Sequence, residues 1–139
     1  MLRNLYGIDL GTSGLILQAQ SREEILADKL IALAFCENRV KNRDLWDIAW
    51  LVQQGVVLRA EFIPVKIRDH QREEDEFAAL LKSRCVALKE EPLLRADFLK
   101  EMRRFLPALT VQETVDRPAW WGYLMQVIDE QVRLALVRV

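Results

Sequence analysis

Four charged side chains stand in a segment that is otherwise largely apolar. Residues 23–51 read EEILADKLIALAFCENRVKNRDLWDIAWL and contain Lys29, Arg43, Asp44 and Asp47. A lysine on an apolar face offers a compact positive charge for a nucleotide phosphate, and paired carboxylates can hold a lysine, orient an arginine or contact a metal ion. These residue types therefore suit phosphate chemistry, provided that the fold brings them together.

Two helices are predicted to position these side chains. The first covers Arg22 to about Cys36, because Ser21 is a favourable N-cap residue. The second begins near Lys41 or Asn42 and ends at Gly55, a residue type common just beyond helix ends. The connection between them is short, which favours an antiparallel pair and brings the lysine of the first helix toward the aspartates of the second.

The spacing indicates where each side chain lies on its helix. Lys29 has apolar helical neighbours such as Leu33, so we expect its ammonium group to point inward or into a cleft. Asp44 and Asp47 are three residues apart and share a face, and Arg43 precedes Asp47 by four residues. Two carboxylates and a guanidinium group are therefore expected at one end of the second helix.

This group of charges has two interpretations. In the structural one, Lys29 is a half-buried partner of Asp44 or Asp47, and Arg43 forms a local ion pair with Asp47. Ion pairs of this kind are common and contribute little when they lie at the surface. In the functional one, Lys29 receives a phosphate. Spacing and composition do not distinguish the two interpretations.

The rest of the chain predicts a mainly α protein with five or six helices in a bundle-like arrangement. We expect one domain over residues 1–139, with an extended or β arm at 1–20 and helices over 21–139. A short helix contains Pro64, and the last helix has Pro118 in its first turn. Trp46, Trp50, Trp120 and Trp121 are expected to pack in the core, with one ring of the last two at an exposed edge. The last helix should bury one stripe: Trp121, Leu124, Ile128, Val132 and Ala135.

Composition excludes several classes of function. The formal net charge of −1 gives no global attraction for nucleic acid or anionic membranes, so phosphate recognition has to be local. Cys36 and Cys85 lie far apart with only His70 as a further candidate ligand, which favours neither a disulfide framework nor a zinc site. The longest apolar run, residues 30–36, is too short for a membrane span. We therefore expect a cytoplasmic protein.

Three quoted segments resemble a known family. EEILADKLIAL, the short basic connection containing Arg39, and KNRDLWDIAWL resemble the lysine and Arg-Asp-x-x-Asp segment of the AbiEii/AbiGii-type nucleotidyltransferase toxins. FLKEMRRFLPAL and the Trp-rich final helix are similar to the helical C-terminal half of those proteins. The resemblance implies a polymerase β-like enzyme that uses Mg²⁺ and a nucleoside triphosphate to add nucleotides to an RNA acceptor, tRNA in characterised relatives.

The same resemblance implies roles for the four charged residues. Lys29 would contact the triphosphate, with Arg43 as a second phosphate-binding residue. Asp44 would support the active centre as the aspartate of the Arg-Asp pair, and Asp47 would hold the two helices in register. Since a lysine that receives a phosphate has to stay reachable, we expect Lys29→Met to cost about 1 kcal/mol of stability or less.

One family feature is missing from this sequence. The metal-binding motif is a Gly-Ser turn followed shortly by two acidic residues spaced by one, whereas GTSG at residues 11–14 is followed by LILQAQ. We therefore expect neither a metal site nor a cofactor in this chain alone. The chain would then be the catalytically incomplete C-terminal part of the enzyme, from a truncated gene or a shortened annotation. The alternative is a non-catalytic helical module that binds an antitoxin or a second copy of itself.

Overall fold

Seven helices occupy the part of the chain that the computed structural model describes, residues 21–37 and 40–137. In chain order they are α1 (Arg22–Phe35), α2 (Asn42–Gln53), α3 (Phe62–Asp69), α4 (Glu74–Glu90), α5 (Pro92–Phe105), α6 (Ala108–Glu113) and α7 (Trp120–Leu136). The prediction of a mainly α, bundle-like domain is confirmed, whereas the arm predicted for residues 1–20 lies outside the described residues. None of the described helices has the length and apolar content of a membrane span.

The ends of α1 and α2 follow local rules that the sequence shows. Ser21 caps α1, because its side-chain oxygen accepts a hydrogen bond of 3.1 Å from the backbone N–H of Glu24. Gly55 follows the C-terminus of α2 with φ of 85°, and the N–H of Val56 donates to the carbonyl of Leu51 at 3.1 Å. This hydrogen bond and the left-handed glycine form a Schellman motif. The two helices that carry the charged residues therefore begin and end close to their predicted positions.

The prolines of the second half account for the differences from the predicted helices. Pro92 occupies the first turn of α5. Pro107 is the N-cap of α6, a short helix that the sequence did not predict. Pro118 lies before the N-cap Ala119 and not in the first turn of α7, so its predicted position was wrong. In each case the proline lies at or before a helix start, where its missing N–H costs nothing.

Helix α1 lies at the centre of the fold. It packs against α2, α3, α4 and α7, and Leu26, Leu30 and Leu33 are each at most 1% exposed. Its polar residues therefore lie at the boundaries between α1 and its neighbours and not on a broad solvated face. Lys29 in particular is placed against α2.

An aromatic cluster joins α2, α5 and α7. Phe98 is fully buried and stacks on Trp120 at 5.7 Å between ring centroids, and it packs edge to face with Trp121 at 5.3 Å between ring centroids. Trp120 also stacks on Trp46 at 5.6 Å. Trp120 and Trp121 are both 8% exposed, so the expectation of one ring at an exposed edge was wrong. The rings are buried because α5 covers the start of α7.

Helix α3 ends in the same way as α2 but with a less suitable residue. Gln71 has φ of 57°, and the N–H of Arg72 donates to the carbonyl of Ile67 at 3.1 Å. An L-residue in this left-handed conformation costs roughly 1 to 2 kcal/mol, which glycine avoids at some cost in chain entropy. We expect Gln71→Gly to raise the free energy of unfolding by about 0.5 to 1 kcal/mol, measured by denaturant melts.

The matched control is Gly55→Gln at the equivalent position of α2. A side chain there meets nothing within 4 Å, so its cost arises from the backbone conformation alone. We expect this variant to lose about 1 kcal/mol. Equal stabilities for Gln71→Gly and the wild type would show that the left-handed conformation at Gln71 carries no strain.

Candidate functional site

Lys29 joins α1 to α2 through both aspartates. Its Nζ atom lies 3.0 Å from Oδ1 of Asp44 and 3.0 Å from Oδ2 of Asp47. The side chains are 21%, 14% and 15% exposed, so the group is largely but not fully buried. The prediction that Lys29 lies within ion-pair distance of the aspartates is confirmed.

The position of the two carboxylates follows from the helix that carries them. Asp44 and Asp47 lie three residues apart in the first half of α2, so their side chains share the face toward Lys29. Leu45 and Ile48 of the same helix are fully buried and hold it against the core. Asp44 also lies in the first turn, where a negative charge interacts favourably with the helix dipole.

The two ends of this ion pair respond differently to burial. Burial by itself lowers the pKa of Lys29, but the hydrogen bonds and charges of Asp47 and Asp44 outweigh it, so the pKa lies above its ordinary value. Burial raises the pKa of Asp47, and the hydrogen bond and charge of Lys29 offset only part of that rise. Two carboxylates share one ammonium group. The charged form of Lys29 is therefore stabilised, whereas the charged form of Asp47 is only partly compensated for its burial.

Arg43 points away from this group. Its side chain is exposed, and its Cζ atom lies 4.9 Å from the centroid of the Phe105 ring on α5. Within the described part of the chain, Arg43 has no ion pair with Asp47, so the local pair of the structural interpretation does not form. Its charge still lowers the pKa of Asp47, although less than Lys29 does. Arg43 therefore lies at the edge of the Lys29 group and not within it.

Asn42 is a buried polar residue that the sequence reasoning missed. It is 4% exposed, and its Nδ2 atom donates to Oδ2 of Asp97 at 2.9 Å and to Oε1 of Glu101 at 2.7 Å. These hydrogen bonds join the start of α2 to α5. An asparagine at a helix start is typical of an N-cap, but here Lys41 has that position. No local signal in the sequence identifies partners that are 55 and 59 residues away.

A second lysine has a similar arrangement. Lys66 of α3 is 14% exposed, and its Nζ atom lies 2.8 Å from Oδ1 of Asp28 and 3.6 Å from Oε2 of Glu24. This group joins α1 to α3 and contains none of the residues that the sequence associated with phosphate. Contact of a largely buried lysine with two carboxylates is thus not specific to the motif residues, and Lys66 is a comparison for Lys29.

The carboxylates of the Lys29 group do not fit a magnesium site. Asp44 and Asp47 each contact the ammonium group of Lys29 at 3.0 Å. Over residues 21–37 and 40–137, no cluster of three or more histidine, cysteine, aspartate or glutamate side chains is arranged to hold a metal ion. A hard divalent cation needs several oxygen ligands, and two aspartates already paired with a lysine do not supply them.

Comparison with known proteins decides the family. Residues 4–126 match the family model described as nucleotidyl transferase AbiEii toxin, type IV TA system. The chain belongs to this family. The AbiEii match extends on both sides of residues 21–55, where the resemblance of the quoted motifs is strongest, and it includes α5 and the first part of α7. No curated protein and no solved structure matches the chain.

Proposed function

We propose that this chain supplies the phosphate-binding lysine of an AbiEii nucleotidyltransferase centre. This lysine, Lys29, contacts the triphosphate of the nucleotide. One observation carries the proposal: Lys29, Asp44 and Asp47, the residues of the lysine and Arg-Asp-x-x-Asp motifs, form one group with two contacts of 3.0 Å. In a family of nucleotidyl transferases, a lysine held in this way suits the recognition of a phosphate.

Asp44 and Asp47 act in this proposal as positioning residues. Their contacts with Lys29 hold the ammonium group in one place, so no reorganisation is needed when a substrate arrives. The two aspartates hold the pKa of Lys29 above its ordinary value despite burial, so the ammonium group stays charged. Arg43 adds a second positive charge beside the group, directed toward α5.

The charge balance of the group explains why we propose that the chain is inactive alone. One lysine and two carboxylates carry a net charge of −1, which does not attract a triphosphate. In nucleotidyl transfer, divalent metal ions neutralise the charge on the phosphates and hold them in position. The Lys29 group does not fit a metal ion, and the sequence lacks the Gly-Ser/acid-x-acid element, so we propose that the metal-binding carboxylates belong to a part of the complete enzyme other than the described residues.

The family also supports proposals about partners. An AbiEii toxin belongs to a type IV toxin-antitoxin system, so we propose a cognate antitoxin as a protein partner. For the acceptor, we propose RNA, as the resemblance implies. We propose that the complete enzyme, and not this chain alone, binds the antitoxin, the RNA and the nucleotide.

Isothermal titration tests the incompleteness of the centre. We expect the purified chain, with magnesium present, to bind each nucleoside triphosphate no more tightly than millimolar, and to transfer no labelled nucleotide to tRNA. The physical reason is the net charge of −1 at the Lys29 group. Micromolar binding would overturn this part of the proposal.

Complementation tests the proposed role of Lys29 in nucleotide transfer. The lobe of an AbiEii relative that carries the Gly-Ser/acid-x-acid element is added in trans or fused before Ser21. We expect nucleotide transfer that is lost in Lys29→Gln and kept in the matched variant Lys66→Gln. Transfer that survives Lys29→Gln would show that Lys29 is only a structural residue.

A further inference from the structure

In the described segment 40–53, the start of α2 lacks a capping side chain. Its N-cap residue is Lys41, whereas α1 begins after Ser21, whose oxygen accepts a hydrogen bond from the N–H of Glu24. A helix start without a capping side chain is less stable, because its first N–H groups find no partner within the helix. Asp44 lies in this first turn of α2. The position of one carboxylate partner of Lys29 therefore depends on contacts from outside α2.

Helix α5 supplies such contacts to two successive residues of α2. Asn42 is 4% exposed, and its Nδ2 atom donates to Oδ2 of Asp97 at 2.9 Å and to Oε1 of Glu101 at 2.7 Å. Arg43 packs on the ring of Phe105 at 4.9 Å, on an exposed part of the surface. Hydrogen bonds to acidic side chains are directional and strong when the acid is ionised, so the Asn42 amide fixes the helix start more closely than the exposed arginine does.

We propose that Asn42 is a positioning residue for the Lys29 group: its hydrogen bonds to α5 hold the first turn of α2 where Asp44 contacts Lys29. Asn42 acts through Asp44, two residues later in the same turn, and not by contact with the nucleotide. The consequence for nucleotide transfer rests on the proposed function, since a displaced Asp44 leaves Lys29 less well placed for a triphosphate.

A purely structural role of Asn42 makes a different prediction. In that role the hydrogen bonds to α5 add stability, and their loss leaves the contact between Lys29 and Asp44 unchanged in the molecules that remain folded. In a positioning role, their loss allows the first turn of α2 to move, and this contact of 3.0 Å is broken. Asp47 lies one turn further into α2 and keeps its own contact with Lys29. The contact of Lys29 with Asp44 in the folded chain therefore distinguishes the two roles.

Nuclear magnetic resonance on the full chain measures this contact at neutral pH. The readout is the scalar coupling across the hydrogen bond between Nζ of Lys29 and the carboxyl carbon of Asp44. We expect this coupling in the wild type and its loss in Asn42→Ala. Ile67→Ala is the control, because Ile67 is fully buried on α3, which packs mainly against α1 and α4. It lowers stability and should keep the coupling. A coupling that is absent from the wild type, that persists in Asn42→Ala, or that is also lost in Ile67→Ala would overturn the inference.

Exchange of donor and acceptor gives a second test that does not depend on the alanine variant. Asn42→Asp removes the donor and places a third carboxylate beside Asp97 and Glu101. We expect loss of the Asp44 coupling and, in the complemented enzyme, a decrease in transfer of about tenfold or more. Addition of Asp97→Asn and Glu101→Gln supplies two amide donors to the new carboxylate, so the triple variant should regain the coupling. A triple variant without the coupling would contradict the positioning role.

The two measurements separate this inference from the proposed function, because the coupling is measured on the chain without nucleotide and transfer on the complemented enzyme. Loss of the coupling in Asn42→Ala, together with transfer that survives Lys29→Gln, would reject the proposed function and keep the positioning of Lys29. Transfer that requires Lys29, with an unchanged coupling in Asn42→Ala, would reject the positioning role of Asn42 alone.

Discussion

Lys29→Met is expected to lower the free energy of unfolding by about 2 to 3 kcal/mol, between the small loss from an exposed ion pair and the 3 to 5 kcal/mol lost from a buried one. Methionine keeps most of the aliphatic stem, so the packing against α1 neighbours changes little. The cost arises because Asp44 and Asp47, 14% and 15% exposed, lose the ammonium group that they share. The sequence predicted about 1 kcal/mol or less, on the assumption of a more solvated lysine.

The loss is expected to depend on pH. The folded-state pKa of Asp47 already lies above its ordinary value, so protonation of Asp47 stabilises the folded state. In Lys29→Met this pKa rises further, and stability recovers as the pH falls from the raised pKa toward the ordinary value of about 3.9. The difference between variant and wild type should therefore be largest at neutral pH and smaller near pH 4, which denaturant melts at the two pH values measure.

Two further variants identify the cause of the loss. Lys29→Met combined with Asp47→Asn removes one of the two uncompensated charges, and we expect it to recover about 1 kcal/mol. Lys66→Met, in the second lysine group, should show a smaller loss, because its partners Glu24 and Asp28 are 32% and 39% exposed and remain solvated without the ammonium group. A loss in Lys29→Met that Asp47→Asn leaves unchanged would indicate lost packing instead of stranded charge.

The size of this effect changes what a stability measurement can decide. The sequence led us to expect a small loss, because a lysine that receives a phosphate has to stay reachable. In the structure, two carboxylates hold Lys29 firmly, which is also expected of a lysine prepositioned to bind a phosphate. Lys66 is held in a similar way without belonging to the motif. Stability alone therefore does not separate the two roles, and the complementation experiment with Lys29→Gln and Lys66→Gln does.

Phe98→Ala is expected to destabilise the fold by about 3 to 5 kcal/mol, the usual range for removal of a buried phenylalanine ring. Phe98 is fully buried and contacts both Trp120 and Trp121. Its removal leaves a cavity where α5 packs on α7 and takes away one side of the aromatic cluster. Denaturant melts followed by circular dichroism measure the loss, and the fluorescence of the stacked tryptophan should change at the same time.

Phe105→Ala is the matched control for this prediction. It removes the same ring from the same helix seven positions later, but Phe105 is 51% exposed. We expect a loss of about 0.5 kcal/mol, since little apolar surface becomes newly exposed. Similar losses at both positions would contradict the assignment of Phe98 to the core.

The sequence determined the features that depend on neighbouring residues. Ser21 and Gly55 delimit the helix pair because capping and left-handed backbone conformations are local properties. The position of Lys29 opposite Asp44 was predictable, because helical spacing gives the faces and a short connection gives antiparallel packing. The family was also recognisable from these motifs, and the match over residues 4–126 confirms it.

Only the tertiary structure decided which distant residues meet around this pair. Asn42 reaches α5, Arg43 lies on Phe105, and Lys66 pairs with Asp28. These contacts depend on how whole helices pack. An exposed arginine can also pack on an aromatic ring instead of pairing with the carboxylate four residues away. An ion pair at this helical spacing contributes only about 0.3 to 0.5 kcal/mol. Helical periodicity specifies the face on which a side chain lies, but the partner across that face is set by the packing of the core.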